Sequence, residues 1–201
     1  MAEEAMNMKK STRIILIVLA VILVIATAFL ITAYLTFRSE VETSTDINDY
    51  IAYTLNTPSE DEDPVVMPKL ETLGNMTDTD FLYCERINPV FAFSFYRLAV
   101  SYNEEDYEKE KALLDGRYTF LNSSASDCDF SPDFEYEGYS FRTAWDDATL
   151  GLYYPKRMFF VGTNDSERKI IYICYRDSDL DSVYDFTELF RDRGVTVSNK
   201  K

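Results

Sequence analysis

Asp177-Ser178-Asp179-Leu180-Asp181-Ser182-Val183-Tyr184-Asp185-Phe186-Thr187-Glu188 is the stretch whose residue types and spacing come closest to a recognisable chemistry. Laid on a twelve-residue calcium loop, it has acids at loop positions 1, 3, 5, 9 and 12, where oxygen ligands are needed. The candidate metal ligands are therefore Asp177, Asp179, Asp181, Asp185 and Glu188. Two features oppose calcium. Ser182 stands where the sharp turn wants a glycine at positive φ, and the segment follows a strand, not a helix. The competing expectation is a helix N-terminus. Ser182 and Asp185 form an S-x-x-D box, and acids in a first turn complement the helix dipole. Capping is the favoured reading and calcium the alternative.

The chain contains no histidine. Ser-His-Asp and Cys-His catalysis need an imidazole base, and most zinc sites use one as a ligand. Sortases, cysteine peptidases and zinc peptidases of the usual construction are thereby excluded. A carboxylate-pair glycosidase or a Ser-Lys enzyme needs no histidine and stays open. The sequence offers 35 acids and no means of choosing a pair, because catalytic carboxylates meet in space and not in sequence. Neither G-x-S-x-G, a P-loop nor G-x-G-x-x-G occurs, so no catalytic residue and no cofactor site is assigned.

Trp145-Asp146-Asp147, with 15 tyrosines and 14 phenylalanines, invites a carbohydrate platform. Most of these aromatics, however, alternate along strands, which is the pattern of a β-rich core. Cys84, Cys128 and Cys174 are an odd number for an exported domain. A Cys84–Cys128 bridge and three free thiols are both open, with Cys174 expected as a buried thiol inside IIYICYR. Asn75, Asn122 and Asn164 begin formal glycosylation sequons, short matches that are common by chance.

The elements that must position these residues follow from the hydrophobic pattern. Thr45-Asp46 can cap a short helix with Ile47, Tyr50, Ile51 and Leu55 inward. Pro58–Pro68 reads as an acidic extended linker. Phe81–Ile87 and Phe91–Tyr102 are candidate strands, the second alternating Phe91, Phe93 and Phe95 against Tyr96, Leu98 and Val100. Asn103 caps a helix with Tyr107, Leu113 and Leu114 inward and Gly116 as its C′ residue. Tyr118–Leu121 starts a further strand, and Phe134–Arg142 is a strand with Gly138 as a bulge. Arg157–Thr163 and Lys169–Arg176 flank a hairpin loop at 164–168. Both are apolar on both faces, as strands in the middle of a covered sheet are. A last helix carries Val183, Phe186, Leu189 and Phe190 inward and stops at Gly194.

Ahead of all this, Ile14–Phe37 is 24 residues without a charge. As a helix it covers roughly 36 Å, enough for a ~30 Å hydrocarbon core. Lys9, Lys10 and Arg13 precede it, and Glu40, Glu42, Asp46 and Asp49 follow soon after it. The positive-inside bias puts the N-terminus in the cytoplasm and the rest outside. Ala26-Thr27-Ala28 matches a signal-peptidase site, but cleavage there would leave the apolar FLITAYLTF as a mature N-terminus. The reading is an uncleaved signal-anchor. Setting aside Lys9, Lys10, Arg13, Arg38, Glu3 and Glu4 leaves 16 basic and 33 acidic residues. A surface that acidic repels phosphate backbones, so nucleic acid is excluded as a partner.

YYPKRMFFVGT…KIIYICYRDSDLDSVYDF, covering about the last third, resembles uncharacterised single-pass exported proteins of Gram-positive bacteria. The resemblance implies a compartment and no activity. The expected fold class is α+β, an N-terminal transmembrane helix followed by a mainly antiparallel sheet with two or three packing helices. Its divisions are a cytoplasmic N-terminus at 1–13, the membrane helix at 14–37, a juxtamembrane helix and acidic linker at 38–68, and an extracytoplasmic domain at 69–201. The expected role is a cell-membrane-anchored binding domain of the bacterial envelope. Its partners are the lipid bilayer, through 14–37, and an unidentified protein or envelope component. The alternatives are a histidine-free carboxylate-pair enzyme and a calcium-dependent binding module.

Overall fold

The computed structural model describes residues 2–36, 40–56, 67–87, 92–121, 131–144, 157–177 and 185–197. It divides into an N-terminal helical unit and a sheet unit that begins at Glu40.

The helical unit is a single helix, α1, over Ala2–Thr36. Within it Ile15–Tyr34 has a mean hydropathy of 3.2 and buries none of its residues in the protein. An apolar helix that buries none of its span among the described residues suits a lipid surrounding. Its two threonine hydroxyls are satisfied internally: Thr27 Oγ1 donates to the Leu23 carbonyl at 2.8 Å and Thr32 Oγ1 to the Ala28 carbonyl at 2.9 Å.

The sheet unit contains β1 (Glu40–Ser44), α2 (Ile47–Asn56), a 3₁₀ turn at Leu70–Thr72, β2 (Met76–Ile87), β3 (Ala92–Tyr102) and α3 (Glu104–Arg117). β4 (Asp133–Tyr136), β5 (Tyr139–Ala144), β6 (Arg157–Asn164), β7 (Lys169–Asp177) and α4 (Phe186–Arg193) follow. The seven strands form one sheet in the order β1-β2-β3-β7-β6-β5-β4. Every pairing is antiparallel. The fold is thus α+β, with three helices packed on the sheet.

β7 sits fourth of seven, and alternation sends its side chains to two cores. Ile171, Ile173 and Tyr175 join Phe93, Phe95, Phe141 and Phe160 beneath Phe186, Leu189 and Phe190 of α4. Ile170, Tyr172 and Cys174 join Leu98, Val100 and Phe159 beneath Tyr50 of α2 and Tyr107 and Leu114 of α3. Phe190 is the hub of the α4 side, meeting Phe134, Phe141 and Phe160 edge to face at 5.4, 5.6 and 5.2 Å. The β6–β7 turn is closed by buried Asn164, whose Oδ1 accepts from Ser166 Oγ at 2.8 Å and the Glu167 amide at 3.0 Å.

Several local expectations are corrected. β1 pairs with β2 from Glu40↔Ile87 to Ser44↔Tyr83, in a stretch the sequence pattern leaves unassigned. Met67 and Pro68, the end of the expected linker, are buried, and the Pro68 carbonyl accepts a hydrogen bond from the Tyr50 hydroxyl. In α2 the inward face carries Tyr50 and Thr54, while Ile51 is 39% exposed. In α3 Leu113 is 53% exposed and Glu110 takes an inward place one turn from Tyr107 and Leu114. That burial is satisfied by the Gly74 amide at 2.9 Å and by Arg117 at 3.2 Å.

Gly116 lies inside α3, because Arg117 extends the last turn while pairing with Glu110. Tyr118–Leu121 contributes only the isolated bridge Phe120↔Ala144. Gly138 is no bulge. With Glu137 it forms a two-residue turn between β4 and β5, both residues having positive φ, 47° and 84°.

Candidate functional surface

Of the five predicted calcium ligands, only Asp185 and Glu188 have side chains among the described residues. Asp179 and Asp181 lie outside those residues, as do Ser182 and Val183, and Asp177 is the last residue of β7. Asp185 is the N-cap of α4: its Oδ1 accepts from the Thr187 amide at 2.8 Å and the Glu188 amide at 3.2 Å. The cap is therefore Asp185 and not Ser182. Glu188 is exposed and faces Arg191 at 3.4 Å, one turn further along. Trp145, Asp146, Asp147 and Cys128 also lie outside the described residues, and Cys84 and Cys174 are free thiols.

The sheet register assembles a different constellation. Glu42 on β1 is paired with Glu85 on β2, Glu85 with Ser94 on β3, Ser94 with Arg176 on β7, and Arg176 with Arg157 on β6. Directly paired antiparallel residues point to the same face, so Glu42, Glu85, Ser94 and Arg176 stand in one row across four strands on the α2/α3 side. Glu42 and Arg176 are exposed, and Glu85 and Ser94 half-buried. Among the described residues Glu42, Glu85 and Arg176 have no ion-pair partner.

One row further into the sheet, three tyrosines stack. The Tyr53 and Tyr96 rings are 3.9 Å apart and those of Tyr96 and Tyr83 are 4.7 Å apart. Tyr83 connects the stack to the row, its hydroxyl donating to Glu85 Oε2 at 2.7 Å. Burial pushes the Tyr83 hydroxyl well above its ordinary value, and the bond to Glu85 pushes it further. Tyr96 is raised by burial as well, against the opposing pull of Arg176. Tyr83 stays protonated and donates to Glu85.

This surface can present carboxylate acceptors, phenolic donors and a guanidinium side by side. Glu42 and Glu85 are also a carboxylate pair that the sequence could not single out; directly opposed Cβ atoms stand ~4.5–5.5 Å apart. The signal for it was the short alternation of Glu40 and Glu42 with the β-branched Val41 and Thr43. No protein-family model, curated protein or solved structure matches the chain.

Proposed function

We propose that this chain is a single-pass, membrane-anchored binding domain of the bacterial cell envelope, with its N-terminus in the cytoplasm and its sheet unit outside. The observation that carries the reading is the apolar helix Ile15–Tyr34, exposed on all sides within the protein. Basic residues precede it and acidic ones follow. Retention of the anchor is supported by the helix running on past Ala26-Thr27-Ala28 to Thr36. Binding is supported by the row of charged residues beside the tyrosine stack, in which Glu42, Glu85 and Arg176 have no salt-bridge partner among the described residues. Protease added to intact protoplasts should digest the sheet unit and spare a membrane-embedded stub. Protection of the sheet unit, or a mature chain beginning at Phe29 in the medium, overturns the reading.

A second reading is supported by the Glu42–Glu85 register and the Tyr83 bond to Glu85: hydrolysis of a glycosidic bond by a carboxylate pair. It requires release of reducing ends from an envelope polysaccharide, lost in Glu85→Gln. The absence of such release leaves the binding reading.

A further inference from the structure

We propose that the core between α3 and the β3–β7 pair is a binding site for one internal water molecule, held by the hydroxyls of Tyr102 and Tyr172. Both residues belong to the core on the α2/α3 side, with 4% and 0% of their surface exposed. Tyr102 ends β3, and Tyr172 lies within the neighbouring β7. Their hydroxyl oxygens are buried, and neither has a hydrogen-bond partner among the described residues.

The polar groups around them are already engaged. Glu110 Oε1 accepts from the Gly74 amide and Oε2 from Arg117 Nη1, while Arg117 Nη2 reaches the Thr72 carbonyl at 3.5 Å. Tyr102, Arg117 and Glu110 lie close enough to Tyr172 to shift its titration, yet no hydrogen bond closes onto either phenol. Buried hydroxyls are almost always paired, with protein or with ordered water. The same neighbours select the ligand. The Glu110 carboxylate repels an anion and the Arg117 guanidinium repels a cation. What fits is a neutral molecule that donates and accepts at once, and at this burial that molecule is water. Bonded to both phenols, it ties the end of β3 to β7 beneath α3. The inference rests on neither the topology nor the binding surface proposed above.

The test compares the full-length chain in mild detergent with Tyr102→Phe, Tyr172→Phe and the double variant. Near-ultraviolet circular dichroism confirms that each is folded. Magnetic relaxation dispersion of the solvent counts water molecules held for longer than the protein tumbles. Each single variant should hold one such water fewer than wild type, and the double variant no fewer than the single ones. The melting temperature should fall by roughly 2–4 °C in each single variant, because the remaining hydroxyl loses its bridge. The double variant should be no less stable than either, since the shared water is lost only once. A wild-type chain with no long-lived water overturns the proposal without recourse to any variant. An unchanged water count in the single variants overturns it too. So does a melting temperature that stays level or rises, which is the result of removing a hydroxyl that nothing bonds.

Discussion

Arg97 Nη2 donates to Asp80 Oδ2 at 2.5 Å from a side chain with no solvent exposure, while Asp80 keeps about a third of its own. Arg97 lies on the α4 side of β3, and its Nη1 donates to the Thr196 carbonyl at 3.1 Å. The guanidinium therefore ties the segment after α4 to the middle of the sheet. Burial draws its pKa below the ordinary arginine value, and the neighbouring Asp80 carboxylate opposes that shift.

Removing one partner should hurt more than removing both. Asp80→Ala leaves a buried cation without its carboxylate, an expected loss of about 3–5 kcal/mol. Arg97→Met with Asp80→Ala replaces the pair by apolar packing and should recover much of that loss, less the bond to Thr196. Urea unfolding followed by near-ultraviolet circular dichroism measures both. A double variant as unstable as Asp80→Ala alone would show that the buried charge is not the source of the cost.

Alkaline pH should unfold the sheet unit from about pH 10 upward. Burial, aided by Glu167 and opposed by Arg97, pushes the Tyr139 hydroxyl up to about 12. Burial also raises Tyr50, Tyr102 and Tyr172. Between the unfolded value, near 10, and the raised folded value, the unfolded chain holds fewer protons than the folded one. Stability is then full below about pH 10 and falls as pH rises through that window. Tyrosinate absorbance should lag behind free tyrosine and then rise together with loss of structure. Titration of these phenols near 10 without unfolding would contradict their burial.

The first turn of α4 separates capping from calcium binding. Asp185→Ala should cost about 1 kcal/mol, because it removes the acceptor for two otherwise unpaired amides. Millimolar calcium should raise the melting temperature no more than magnesium does, and Glu188→Gln should leave it unchanged. A calcium-specific rise that disappears in Glu188→Gln would instead assign a metal site to the segment beginning at Asp177.

Strands with strong two-sided patterns were legible in the sequence, and so was α4. Met158–Val161 and Ile170–Tyr175 can satisfy both faces only in a sheet interior, and there they lie. Capping chemistry marked the start of α3 at Asn103 and the end of α4 at Gly194. What escaped is what depends on a partner. Glu110 looks like a surface acid until Gly74 and Arg117 come to meet it, and that displaces Leu113 outward. β1 is five residues with two glutamates, and only its pairing with β2 makes it a strand. The same reason hid the candidate surface: its residues lie on four separate strands, and only the register aligns them.

The strand order has a consequence for how the chain comes to fold. β1-β2-β3 is one meander and β4-β5-β6-β7 another, each built from neighbours in sequence. They join along β3 and β7, where Val100 meets Ile170 and Phe95 meets Tyr175. As the chain emerges from its N-terminus, β3 is made early and its second neighbour is made last of the strands. Until then the apolar edge from Phe93 to Val100 is an open template for pairing with other chains. Closing that seam, the slow non-local step, converts two half-sheets with exposed edges into one sheet that ends in two short strands.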